Sequence, residues 1–187
     1  MQKIILFLVV AFVFFQCREN ELQPESQNAG TISSLGTYYV STLGSDLNDG
    51  SAARPWRTLK YAVTRAASGY TIQLAAGTYV EYGQVVVPTG VSIAGAGIDQ
   101  TIIRIASAFY YHPTSPSYAS DKFLLNLSSG SATAGNQSLT KFTIDGDSKQ
   151  LHGGIFVRNR NNVTIGSVKV KNTNYTGIWL WGLQDSK

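Results

Sequence analysis

Gly154-Ile155-Phe156-Val157 is followed 23 positions later by Gly177-Ile178-Trp179-Leu180, the same pattern of glycine, aliphatic, aromatic, aliphatic. A second pair repeats in character at an offset of 26: Leu139-Thr140-Lys141-Phe142-Thr143-Ile144 and Ile165-Gly166-Ser167-Val168-Lys169-Val170. A period slightly above twenty residues, with short period-two runs inside it, is the length of one coil of a stacked β-solenoid. Such a coil cannot bury its own apolar edge, so neighbours must stack. Working outward, the same alternation marks short strands at 71–74, 85–87, 91–94, 101–105, 123–127, 139–144, 154–157, 163–165, 168–170 and 177–180, most of them parted by Gly, Asn, Asp or Pro. Strands this short suit the faces of a solenoid better than a free sandwich.

Upstream of residue 69 the period is different. Residues 37–41 (Thr-Tyr-Tyr-Val-Ser) form a β-type run and 44–50 (Gly-Ser-Asp-Leu-Asn-Asp-Gly) carry turn chemistry. From Pro55 the spacing predicts a helix, with Leu59, Ala62, Val63 and Ala66 on one stripe and Gly69 as its C′ residue.

Composition agrees with many turns and strands. Of 187 residues 43% are apolar and only 14% charged, where about 25% is usual. The net charge of +4 is spread without a Lys/Arg run, so no nucleic-acid footprint is present. One cysteine excludes an internal disulfide and a Cys-based metal site, and two histidines, His112 and His152, argue against a His-rich one.

Residues 1–17 read as an export signal: Lys3, then an unbroken apolar run over 4–15, ended by Gln16-Cys17 and the polar Arg18-Glu19-Asn20-Glu21. An apolar run stopping at the lone cysteine resembles a bacterial lipoprotein signal, which implies lipid attachment at Cys17 and a membrane anchor. Ordinary secretion is the alternative. Either way the chain is expected to be exported, to the outer membrane, the cell surface or the periplasm. Residues 18–36 are a polar linker and 37–187 the folded domain, divided into a capping segment (37–69) and coils (70–187).

That domain opens with Tyr38-Tyr39-Val40-Ser41, Gly44-Ser45-Asp46, Asn48-Asp49-Gly50-Ser51, Pro55-Trp56-Arg57-Thr58-Leu59, and Tyr70-Thr71-Ile72 with Ala76-Gly77-Thr78-Tyr79. These residues together resemble the opening of the right-handed parallel β-helix superfamily of pectate-lyase-like proteins. The resemblance implies an all-β, right-handed parallel β-helix whose N-terminal end is closed by a capping α-helix. It is informative for fold and poor for activity, since the superfamily holds lyases, hydrolases, epimerases, adhesins and phage spikes. No cap is visible after Trp181 and there is room for four or five coils, so the chain is expected to be a piece of a longer protein; a short β-helix closed by oligomerisation is the alternative.

Parity places Ile155, Val157, Ile178 and Leu180 inside and Phe156, Arg158, Trp179 and Trp181 outside. Stacked in register, Phe156 lies beside Trp179 and Arg158 beside Trp181, an exposed aromatic strip with a cation. Aromatic faces stack on sugar C–H faces and arginine pairs with a uronate carboxylate, so the strip suits a polysaccharide. A covering loop or segment would silence it. The same offsets place Thr143 beside Lys169 and Asp145 beside Lys171. The resemblance makes Lys171 a candidate base and Asp145 and Asp147 candidate acids or metal ligands, because polyuronate lyases of this fold use Ca²⁺ or a basic residue to neutralise the uronate and a Lys or Arg to take the proton. An ordinary surface ion pair explains Asp145 and Lys171 as well. Asp46, Asn48 and Asp49 look like part of a Ca²⁺ loop, or like an Asx turn before the cap. The insertion over 106–122, with Phe109, Tyr110, Tyr111, His112 and Tyr118, is a candidate binding loop. Together these features suggest a polysaccharide lyase or glycoside hydrolase acting on an acidic polysaccharide. The alternative is a non-catalytic glycan-binding or adhesin-like surface β-helix.

Overall fold

Near Gly69 the helical period gives way to a strand period, and there the solenoid begins. A computed structural model describes residues 35–106, 122–148, 151–184 and 186–187. Nine strands and one short helix follow in the order β1 (Gly36–Val40), α1 (Leu59–Arg65), β2 (Tyr70–Leu74), β3 (Gly77–Glu81), β4 (Val85–Val86), β5 (Ser92–Ala94), β6 (Thr101–Ile105), β7 (Phe123–Asp145), β8 (Gly153–Lys171) and β9 (Thr176–Trp181). All pairings between them are parallel.

The long strands β7 and β8 turn corners, so the pairings resolve into three faces. The first stacks β1, β2, β5 and the Leu139 and Ile165 stretches of β7 and β8. The second stacks β3, β6 and the 142–145 and 168–171 stretches. The third stacks β4, the start of β7, the start of β8 and β9. This is a right-handed parallel β-helix of four coils with an extra N-terminal strand.

Inward rows run straight through the coils. Ile72, Ile93, Leu139 and Ile165 stack on the first face, and Tyr79, Ile103, Ile144 and Val170 on the second. Val85, Leu125, Ile155 and Ile178 stack on the third. Branched side chains pack well on a pleated surface, and each fully buried Val, Leu or Ile contributes about 1.5–3 kcal/mol. Ile178 and Leu180 have inward register partners, yet are 37% and 52% exposed, because no described coil lies over them.

The capping helix is shorter than the sequence spacing predicts. It begins at Leu59, not near Pro55, because Trp56 is held in extended pairing with β1: its N–H donates to Tyr39 O at 2.9 Å and its carbonyl accepts from Ser41 N at 2.9 Å. Thr58 caps the helix, its hydroxyl accepting from Tyr61 N at 3.2 Å. The helix ends at Arg65 with Ala66 already extended, so Gly69 (φ 87) shapes the turn into β2 instead of serving as C′. The predicted stripe holds: Leu59, Ala62, Val63 and Ala66 are all buried in the lumen core. Beside it Trp56 stacks on Tyr38 at 4.7 Å and donates its Nε1–H to Asn48 O at 2.8 Å. Gly50 is required there; it has φ 78, and a Cβ would sit 2.7 Å from the Trp56 ring.

Two further devices hold the corners. Asn136 and Asn162, 26 apart, both take positive φ, and Asn162 Nδ2 donates to Asn136 Oδ1 at 2.8 Å. Asparagine tolerates this conformation and stacks from coil to coil. Arg160 is only 4% exposed and donates to Val87 O (2.7 Å), Gln137 Oε1 (3.1 Å), Ser128 O (3.0 Å) and Ser129 Oγ (3.1 Å). Every acceptor is uncharged, so burial lowers its pKa. No helix among the described residues is long and apolar enough to cross a membrane. Cys17, the signal segment and most of the linker lie outside the described residues.

Candidate functional site

The third face carries the aromatic row in the expected register. Asn126, Phe156 and Trp179 stand side by side in successive coils, as do Ser128, Arg158 and Trp181. Exposure, however, divides the row. Phe156 is 1% exposed, which corrects the expectation of a fully open strip. Its ring packs 5.1 Å from Phe123, which in turn meets Trp179 edge-on at 6.3 Å. Aromatics from three coils thus pack together, with the Phe123 ring in contact with both Phe156 and Trp179. Gly153 permits this, since a Cβ there would strike the Phe123 ring. His152 extends the cluster, stacked on Tyr175 at 4.6 Å and edge-on to Phe123 at 5.6 Å.

What stays open is the rim. Trp181 is 50% exposed, Tyr175 62%, and the Arg158 guanidinium lies over the Trp181 ring at 5.1 Å. Trp179 is half-buried, stacked 6.1 Å from Tyr175. The rim therefore offers a cation already seated on an aromatic plane, with donors still facing solvent.

The second face holds the charged residues. Arg104, Asp145 and Lys171 form one ladder row across three coils. Asp145 Oδ2 lies 3.1 Å from Arg104 Nη2 and 3.3 Å from Lys171 Nζ. Its Oδ1 accepts from Asn172 Nδ2 at 2.7 Å and from the Asp147 amide at 3.0 Å. Burial alone would raise this carboxyl. The four donors outweigh burial and hold it down at about 2. Both oxygens are engaged, so Asp145 has no lone pair directed at a ligand, and Lys171 is held on a carboxylate. Asp147 contributes its backbone amide to the same knot and lies at the corner with φ 52. In the next row Lys169 Nζ bridges both Asp99 oxygens at 3.0 Å, and Thr143 Oγ1 accepts from the Asp99 amide at 3.0 Å. Arg104 and Asp99 escaped the sequence reading because the insertion over 106–122 breaks the coil offset between β6 and β7. Phe109, Tyr110, Tyr111, His112 and Tyr118 of that insertion lie outside the described residues.

The Ca²⁺ reading of the capping segment does not fit. Asp46 Oδ1 accepts from the amides of Arg57 (2.8 Å) and Thr58 (3.0 Å), and Oδ2 from Thr58 Oγ1 (2.8 Å). Asn48 Nδ2 donates to Pro55 O at 2.9 Å. Asp49 accepts from Ser51 N at 3.0 Å, an Asx turn, and its other oxygen lies 3.6 Å from Arg54. These groups point to three separate tasks, and no group of three His, Cys, Asp or Glu suited to a metal occurs among the described residues.

Residues 42–186 match a family described as a protein of unknown function, DUF1565. The chain belongs to the DUF1565 family. This DUF1565 chain is 32% identical to the uncharacterized protein YwoF of Bacillus subtilis (strain 168), over 52% of this chain and 23% of that protein. Among solved structures a rhamnogalacturonan lyase superposes with a TM-score of 0.59 at 18% identity, covering 81% of this chain and 39% of the lyase. The pectate lyase Pel9A gives a TM-score of 0.48 at 16% identity, covering 81% and 40%. The lyase likeness shows a shared parallel β-helix. The DUF1565 chain spans well under half the length of each of these proteins.

Proposed function

We propose that this DUF1565 chain is an exported, polysaccharide-active β-helix whose third face binds an acidic polysaccharide. The observation that carries this is the Arg158–Trp181 rim, a solvent-facing guanidinium on an indole plane beside Trp179 and Tyr175. A sugar ring can lie against the indole while its carboxylate takes guanidinium donors. The shared fold with a rhamnogalacturonan lyase supports a pectic or other uronate-bearing polymer as the class to try first. Residues 1–17 support export, with Cys17 as the site of a lipid anchor at a membrane.

Affinity electrophoresis through polygalacturonate tests the reading. Retardation that is lost in Arg158→Ala and Trp181→Ala, and absent in gels of a neutral glucan, is the expected result. Equal mobility with and without polygalacturonate would sink it.

Whether the chain cleaves what it binds is a separate matter. For a lyase, Lys171 is the candidate base, with Asp145 and Asp147 beside it. The donors gathered on Asp145 favour the second reading, a non-catalytic glycan-binding surface β-helix. Lyase activity would appear as ultraviolet absorbance of unsaturated uronates, hydrolase activity as new reducing ends. Binding without either product selects the binder.

A further inference from the structure

The cap and the second face enclose a cleft apart from the third-face rim and the Asp145 ion pairs. It has a volume of about 500 Å³, within the range typical of small-ligand sites. One wall is the capping segment, with Asp46 and Arg57; the other is β3 and the residue after it. Along that wall Thr78, Val80 and Tyr82 alternate outward into solvent. Val80 is 44% exposed and Tyr82 84%, so an aliphatic side chain and a phenol ring lie open along this wall. Arg57 is exposed, and its guanidinium makes no hydrogen bond or ion pair among the described residues; only its backbone amide is engaged, by Asp46.

The charges of the cleft differ from those of the third-face rim. Asp46 and Glu81 both line it. Glu81 is 2% exposed and its Oε1 accepts from Leu59 N at 3.0 Å. With two carboxyl groups in the walls and one guanidinium at the mouth, a uronate carboxylate would meet repulsion that an uncharged sugar would not. An exposed phenol ring, a neighbouring aliphatic side chain and free guanidinium donors match the C–H face and hydroxyls of a neutral pyranose.

We infer that the cleft between Arg57 and Tyr82 is a second carbohydrate site, selective for neutral sugar units. It is independent of the third-face rim. A protein carrying both would hold a polymer, or two polymers, with acidic and neutral stretches.

The test is isothermal titration of the chain with xylohexaose, cellohexaose and a galactan-derived hexasaccharide, alongside hexagalacturonate. At least one neutral hexasaccharide should bind. Tyr82→Ala and Arg57→Ala should each weaken it about tenfold, as expected for loss of one ring stack or one charged donor set. Arg158→Ala and Trp181→Ala should leave it unchanged. Both cleft side chains are exposed, so neither substitution threatens the fold. Failure of every neutral sugar, or neutral-sugar binding indifferent to Tyr82→Ala or Arg57→Ala, overturns the inference. Failure of hexagalacturonate alone overturns the third-face reading and leaves this one standing.

Discussion

The second and third faces of the solenoid are built from the same coils, yet they treat their polar groups in opposite ways. On the second face Arg104 and Lys171 both bind the single Asp145 carboxylate within one ladder row, and Asn172 and the Asp147 amide occupy its other oxygen. On the third face Arg158 rests on Trp181 with its donors turned to solvent, beside aromatics that are half open. A charged cluster is thus not by itself a site. A carboxylate whose two oxygens are both taken by its own coils stabilises those coils, whereas a cation without a carboxylate beside a bare ring has capacity left for a ligand.

That contrast can be broken at several points. The largest effect belongs to Phe156, which parity places outward but which is buried as deeply as the lumen residues. Phe156→Ala should cost about 3–5 kcal/mol in urea unfolding, the usual range for a buried phenylalanine. A cost below about 1 kcal/mol would mean the ring is not packed as described.

Asp145 comes next. Its carboxyl falls from an ordinary 3.8 to about 2 in the folded chain, worth about 2 kcal/mol of stability. Because the folded value is the lower one, that stability is present above pH 4 and fades as pH drops toward 2. Asp145→Asn should lose about 2 kcal/mol near neutrality and flatten the acid limb of the stability profile. It should leave polyuronate binding unchanged; lost binding would move the site to the second face.

Arg158→Ala and Trp181→Ala should behave in the opposite manner. Each should weaken oligogalacturonate binding about tenfold while changing stability by less than about 1 kcal/mol. The smallest effect is at Glu81, as buried as Asp145 but without a cation bound to it. Burial raises its pKa, and the amides of Leu59 and Lys60 only partly offset this. Stability from a raised carboxyl is present at low pH and fades as pH rises through the folded value. Glu81→Gln keeps an acceptor for Leu59 N, so at pH 7 it should change stability by less than about 0.5 kcal/mol. A loss as large as that of Asp145→Asn would erase the distinction between the two carboxyls.

How far the sequence anticipates this follows from the same coils. The offsets of 23 and 26 reproduce the observed register at Phe156 beside Trp179 and Asp145 beside Lys171. The apolar stripe of the capping helix is equally legible, since helix period and burial coincide there. Phe156 is not, because parity reports direction, whereas burial depends on Phe123, more than thirty residues away and outside the repeat that was visible. Arg104 is hidden by the insertion that separates β6 from β7. The Asn136–Asn162 pair was in principle readable: it has the same offset of 26 as Leu139 and Ile165. Asp46, Asn48 and Asp49 have the composition of a cation loop, and only their partners reveal three different turns and caps.

A double-mutant cycle on Arg158 and Trp181, read by calorimetric titration with oligogalacturonate, tests the central claim most directly. If the guanidinium and the indole form one site, the double mutant should bind no more weakly than the worse single mutant, a clear departure from additivity. Wild-type binding that is undiminished in Arg158→Ala, Trp181→Ala and the double mutant would contradict the account.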